Sequence, residues 1–125
     1  MLRVTDIHLE RLMYLRDVVF PKVWEMDRKG RVDLDCYMRF TPKGRVCCLL
    51  GWAAQEPYFQ KQGLRLERKS IFDPWHVTCM VWDFYGISRA DTERMFGRRR
   101  CGSLRARARL LDELIEAKTK ALVQA

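Results

Sequence analysis

The sequence lacks the features that identify most secreted, membrane-spanning or zinc-binding proteins. No apolar run approaches the ~18 residues that a membrane-spanning helix needs, and we expect no signal peptide because Asp6 and Glu10 interrupt the N-terminus. No two cysteines are spaced Cys-x-x-Cys, and the cysteine count is odd, at 5. Neither a disulfide framework nor a zinc site follows from this spacing, so we expect free thiols and a reducing, cytoplasmic setting.

Internal repeats, low-complexity tracts and long linkers are also absent, which predicts a single domain over residues 1–125. What the chain has in excess is positive charge: 24 Lys and Arg residues oppose 16 Asp and Glu residues, a formal charge of +8. This balance favours an acidic partner such as nucleic acid, a nucleoprotein, an anionic membrane or an acidic protein surface. A basic surface that only keeps the protein soluble is the alternative.

Apolar periodicity predicts a mostly α fold (α+β) of about five helices with at most a small two-stranded sheet. The first helix is expected over residues 5–20, capped by Thr5 or Asp6. A stop or break is expected just before Pro21, followed by a short continuation at Val23, Trp24 and Met26. Alternation over residues 32–40 predicts a strand, with a helical turn as the alternative and residues 64–68 as a candidate pairing partner.

The most apolar run of the chain, residues 44–54, predicts a buried helix over residues 46–55. A glycine inside a helix costs about 1 kcal/mol relative to alanine. We therefore expect Gly51 to mark a close contact between two helices.

Three further helices are expected in the second half of the chain. Asp73 followed by Pro74 has the form of an N-cap and first helical position, which predicts a helix from there to about Tyr85. Ser88 is expected to cap a short helix ending near residue 96, and Ser103 a last helix ending near residue 123. The apolar stripe of that last helix contains Leu104, Ala108, Leu111, Ile115 and Leu122.

Residues 81–95 have the pattern of a helix-turn-helix: one helix, a Gly-Ile-Ser turn and a second helix. In DNA-binding versions the second helix enters the major groove. Trp82 and Thr92 depart from that pattern, since a small and an apolar residue are usual there. The second helix would offer Arg89 and Arg94 to phosphates, but it also carries two acidic residues. A purely structural helical hairpin is the alternative.

From Arg94 to Arg109 the chain carries seven arginines and no acidic residue, which is its strongest functional signal. A guanidinium group holds phosphate or carboxylate through two hydrogen bonds, and helical spacing places Arg105 and Arg109 on one face and Arg107 on another. A solvated basic surface is the alternative. We predict a nucleic-acid or partner-binding surface made of Arg89, Arg94, Arg98, Arg99, Arg100, Arg105 and Arg109, with Trp75 as the tryptophan best placed for exposure.

The residue types of a thiol hydrolase are present, with Cys47 or Cys48 as nucleophile and His8 or His76 as base. Cys48 lies deep in an apolar pattern, however, where the pKa of a thiol rises and its reactivity falls. We therefore expect no enzyme, no cofactor and no metal site, and the other three tryptophans are assigned to packing in or beside the core.

Residues 48–53, Cys-Leu-Leu-Gly-Trp-Ala, resemble the core motif of small bacteriophage and mobile-element proteins, Cys-Gly-Thr-x-x-Cys-x-x-Gly-Trp/His-Ala. Further matches follow in the same order: Gly44 before them, then Gly63-Leu64, the aromatic-Gly-Ile-Ser turn and Met95-Phe96 after them. Lys43 and Arg45 replace the first cysteine and the threonine of the motif, so any role of that cysteine pair in relatives is lost here. The resemblance implies a phage or prophage origin, a bacterial host cell and a compact, mainly helical domain, but no established reaction.

Charge and resemblance together predict a non-enzymatic phage accessory protein that binds nucleic acid or a host nucleoprotein through its arginine-rich face. The resemblance is compatible with a biological role in counter-defence of the anti-CRISPR kind or in host takeover. An inhibitor that binds an acidic surface of a host protein is the alternative, and a cysteine-dependent enzyme is a third.

Overall fold

A computed structural model describes residues 6–64 and 74–124, with side chains of residues 74–78 left out. Over these ranges the protein is mostly helical with a two-stranded antiparallel sheet, which confirms the predicted fold class. The helices are α1 (Ile7–Tyr14), α2 (Phe20–Arg28), α3 (Leu49–Ala53), α4 (Pro57–Gln60), α5 (Pro74–Tyr85), α6 (Arg89–Phe96) and α7 (Leu104–Gln124), and the strands are β1 (Met38–Thr41) and β2 (Gly44–Cys47). The predicted cap at Asp73 and the candidate strand at residues 64–68 lie outside this description.

Helices α1 and α2 form one continuous helix through a π-helical turn at Leu15–Val19. Of the stop or break predicted before Pro21, the stop is therefore wrong, and the helix geometry changes at the π turn instead. Asp6 caps the helix as predicted, because its carboxylate accepts the backbone N–H of His8 at 2.7 Å. In the π turn the Phe20 N–H donates to the carbonyl five residues back. Pro21 follows in the first turn of α2, where the register has already shifted and its missing N–H costs little.

Strands β1 and β2 form a hairpin joined by the Pro-Lys turn, so the predicted helix over residues 46–55 is wrong at its start. Periodicity cannot separate a buried strand from a buried helix in a short apolar run. Pairing with β1 holds Val46 and Cys47 in the extended form. Cys48 then caps α3, its Sγ accepting the Gly51 N–H at 3.4 Å. Of the predicted strand over residues 32–40, residues 38–40 belong to β1, and Val32 forms only an isolated parallel bridge with Cys47.

Gly51 does mark a close contact, but its partner is not another helix. A Cβ atom at this position would overlap the carbonyl oxygen of Tyr37, in the segment before β1, and would lie 2.8 Å from Cβ of Cys47. The prediction of a close approach is therefore right, and the predicted partner is wrong.

The core lies where α1, α2, α3, α5 and α7 meet, and the hairpin covers one part of it. Ser88 and Ser103 cap α6 and α7 as predicted, accepting the N–H groups of Asp91 at 3.1 Å and Ala106 at 3.2 Å. Of the predicted α7 stripe, Leu104, Leu111 and Ile115 are buried, and Ala108 and Leu122 are half-buried. Within the described ranges no helix is long and apolar enough to cross a bilayer.

Candidate nucleic-acid interface

Helices α5 and α6 form the predicted helical hairpin, turning at Gly86 with a φ of +63° that favours glycine. On the outward side of α6, Arg89 pairs with Glu93 at 3.3 Å and Arg94 pairs with Asp91 at 3.5 Å. Each pair cancels its own charge, so α6 presents little net positive charge to a phosphate backbone. The geometry thus favours a structural hairpin over a recognition helix.

The side chain of Arg107 fixes the backbone between the end of α6 and the start of α7, which carries several of the other arginines. Its side chain is only 1% exposed. The guanidinium group donates hydrogen bonds to four backbone carbonyls, those of Met95 at 3.0 Å, Gly97 at 2.6 Å, Arg98 at 2.6 Å and Gly102 at 3.0 Å. Two of these carbonyls lie at the end of α6, where the helix dipole is negative and a cation is stabilising. Burial lowers the pKa of Arg107, but an arginine in a protein stays protonated.

The burial of Arg107 is the feature of residues 94–109 that could not be predicted from the sequence. Helical spacing separated it correctly from Arg105 and Arg109, both of which are exposed. It could not show that the separate face is the buried one, because apolar patterns are read from apolar residues. An arginine within the apolar stripe of α7 can be recognised as buried only when the backbone carbonyls that surround it are known.

Apart from Arg94 and Arg107, the arginines of residues 94–109 are exposed, and none forms an ion pair within the described ranges. They are Arg98, Arg99, Arg100, Arg105 and Arg109. A 3₁₀ turn at Arg99–Cys101 joins α6 to α7. The backbone N–H of Arg99 donates to Oδ1 of Asp35 at 2.8 Å, which ties this turn to the segment before β1. The backbone of the turn is therefore held by hydrogen bonds from two sides, and no carboxylate of the described residues lies within ion-pair distance of its guanidinium groups.

An open groove of about 390 Å³ lies between α2 and the start of α7. Trp24 and Asp27 line it from α2, and Arg99 and Arg105 line it from the 3₁₀ turn and α7. Between them are the apolar side chains of Val32, Leu34 and Leu104. The groove brings together two of the predicted binding arginines, one aromatic ring and one carboxylate.

The exposed tryptophan of this groove is not the one that the sequence favoured. Trp24 was assigned to packing, yet it is 40% exposed. Trp52 is buried, and its Nε1 donates to the Arg31 carbonyl at 3.1 Å. Trp75, the predicted exposed residue, has its side chain outside the description, so that part of the predicted site stays a prediction.

The thiols expected to be inert are held in apolar surroundings. Burial raises the pKa of the Cys48 thiol to about 11, and burial also raises the pKa of Cys47. His8 lies 3.6 Å from Asp6 at the start of α1, and the side chain of His76 is outside the description. No cluster of His, Cys, Asp and Glu able to hold a metal ion occurs in the part of the chain that the structure describes.

Alkylation of the native protein with iodoacetamide at about pH 8 is expected to modify Cys101 and spare Cys48. At that pH a thiol with a pKa of about 11, such as that of Cys48, is only ~0.1% thiolate. Cys101 is also exposed, while Cys48 is buried. Peptide mass spectrometry after timed quenching measures both rates, with the denatured protein as the control in which all thiols react. Rapid native labelling of Cys48 would contradict the buried thiol.

Residues that carry the resemblance to phage proteins have structural roles here. Gly44 takes a φ of +118° at the hairpin, Cys48 caps α3, Gly51 admits the neighbouring backbone and Trp52 binds a carbonyl. No protein-family model matches the chain, and neither does any of the curated proteins or solved structures compared with it. The phage relationship therefore stays a prediction from the residues themselves.

Proposed function

We propose that this protein is a non-enzymatic accessory protein that binds nucleic acid through the basic segment, defined here as residues 98–109. One observation carries the proposal: five exposed arginines of the segment have no carboxylate within ion-pair distance in the described ranges. By contrast, Arg94 just before the segment is already paired with Asp91. Unpaired guanidinium groups keep their capacity for bidentate contacts with phosphate.

The arrangement of these arginines suits a chain of phosphates. Arg98, Arg99 and Arg100 are consecutive in a turn whose backbone is fixed, and Arg105 and Arg109 are one helical turn apart on α7. Contacts of this kind position a protein on a nucleic-acid backbone without reading sequence. The resemblance to phage proteins supports a bacterial cytoplasmic setting and a counter-defence role as the wider context of this binding.

Reversing the charge of Arg98, Arg99 and Arg100 together to glutamate is expected to weaken binding to short DNA about a hundredfold at low salt. Each lost phosphate contact also removes ~0.9 units on duplex and ~0.7 units on single-stranded DNA from the slope of log affinity against log salt, so the slope should fall by about three and about two, respectively. The hydrogen bond that Arg107 makes to the Arg98 carbonyl uses the backbone and survives the substitution. Retention on immobilised single-stranded and duplex DNA over a salt series measures both quantities.

A matched control reverses Lys43, Lys61 and Lys118, which lie outside the basic segment and form no ion pair within the described ranges. Net charge changes equally in the two triple variants, so we expect the control to lose less than about tenfold. Unchanged retention in the arginine variant would contradict the proposal. Equal losses in the two variants would contradict it as well, because net charge rather than this surface would then explain the binding.

A further inference from the structure

We infer that the groove between α2 and α7 is a subsite for one unpaired nucleotide, with its base against Trp24 and its phosphate at Arg99 and Arg105. The inference rests on the proposed nucleic-acid binding. It further specifies which form of nucleic acid the surface binds, namely a single strand with unpaired bases.

The size and lining of the groove suit a single nucleotide. Its volume of about 390 Å³ falls at the lower end of the ~300–1,000 Å³ range of small-ligand sites. Trp24 packs against Phe20, with ring centroids 6.1 Å apart and planes inclined at 46°. This neighbour holds the indole ring while 40% of the side chain stays exposed. An exposed ring beside cations is the usual platform on which a single strand stacks a base.

Positively and negatively charged residues line different sides of the groove, and this arrangement favours a nucleotide over other anions. Arg99 and Arg105 are both exposed cations without an ion pair in the described ranges, whereas Asp27 places a carboxylate in the groove from the α2 side. That carboxylate disfavours any anion on the α2 side of the groove, so a phosphate is expected on the side of Arg99 and Arg105. An unpaired base, however, carries amino groups, such as N4 of cytosine, that donate hydrogen bonds to a carboxylate. A ligand with one anionic end and one N–H-bearing aromatic end satisfies both sides.

The test compares a dye-labelled, cytosine-rich single DNA strand with the same strand annealed to its complement, using fluorescence anisotropy at one low salt concentration. Trp24→Leu is expected to weaken binding of the single strand about tenfold, because each base stacked on an aromatic ring contributes about five- to a hundredfold in affinity. Duplex binding should change less than about twofold, since paired bases cannot enter the groove. Single-strand binding should also quench the tryptophan emission of the wild-type protein more than that of the variant.

Phe40→Leu is the matched control, since Phe40 is an aromatic side chain that is 74% exposed on β1, outside the groove. It is expected to bind both DNA forms like the wild-type protein. If Trp24→Leu leaves single-strand affinity unchanged while the triple arginine variant loses it, the subsite is overturned and the proposed function stands. Equal weakening by Trp24→Leu and Phe40→Leu, or equal weakening on duplex and single strand, overturns the subsite too. If no form of DNA binds, both proposals fail.

Discussion

Replacing Arg107 with methionine is expected to destabilise the protein by about 3 kcal/mol and to lower its Tm by roughly 12 °C. Methionine fills a similar volume, so the change removes hydrogen-bond donors without opening a large cavity. Four carbonyls that now accept from the guanidinium group would lose that partner, among them the Met95 carbonyl, which is fully buried. Removing the donors of a buried hydrogen-bond network destabilises the protein by more than the network stabilised it, because the acceptors stay buried without partners.

The control for this prediction is Arg105→Met, two residues earlier on α7. It makes the same substitution and the same charge change at an exposed side chain that forms no ion pair within the described ranges. We expect it to alter stability by less than about 0.5 kcal/mol. Urea unfolding and thermal melts measure both variants, and equal stability of the two would contradict the structural role of Arg107. Arg107→Lys should recover only part of the loss, because an ammonium group lacks the planar fork that reaches several carbonyls.

Local chemistry explains which parts of the fold were predictable. Asp6, Ser88 and Ser103 each accept a backbone N–H from a residue two or three positions later. A cap of this kind depends on neighbours in the chain, so the sequence contains nearly all the information that sets it. The end of α5 near Tyr85 and the turn at Gly86 were predictable for the same reason.

Parts of the fold that depend on distant partners were not predictable in this way. Residues 46 and 47 become strand because β1 pairs with them, although their apolar run equally suits a helix. The continuous α1–α2 helix depends on a π turn, which no apolar spacing reveals. Because a stop or break was expected before Pro21, Trp24 was predicted only in a short continuation after it, and its exposure beside the basic segment was missed.

The predicted binding surface was predictable in part for the same reason: its local features could be predicted, and those that depend on distant contacts could not. Composition identified the run of arginines, and helical spacing separated Arg107 from Arg105 and Arg109. Which arginine binds carbonyls, which pairs with a carboxylate and which faces solvent depends on how α6 ends against α7. Arg94 and Arg107 therefore form contacts within the protein, whereas the other five arginines of residues 94–109 are exposed and form no ion pair with the residues that the structure describes.

Replacing Gly51 with alanine is expected to destabilise the protein by about 3 kcal/mol, the upper range for overpacking a core. The added Cβ would overlap the Tyr37 carbonyl oxygen and approach Cβ of Cys47 to 2.8 Å. Both neighbours are themselves fixed, because Cys47 lies in β2 and the Tyr37 carbonyl accepts the Cys48 N–H at 3.4 Å. Relief of the overlap therefore requires α3 to move away from the hairpin.

Whether Gly51→Ala destabilises or stabilises the protein distinguishes steric overlap from intrinsic helix propensity. At an unobstructed helix position, glycine to alanine stabilises by about 1 kcal/mol, so a neutral or stabilising Gly51→Ala would contradict the close approach. Gly30→Ala is the control for the added methyl group, since a Cβ there meets nothing within 4 Å. That variant should lose only the ~1–2 kcal/mol that a non-glycine residue costs at its φ of +71°. In urea unfolding, Gly51→Ala should have a lower free energy of unfolding than Gly30→Ala. Backbone strain alone costs less free energy than overlap with a carbonyl that cannot move.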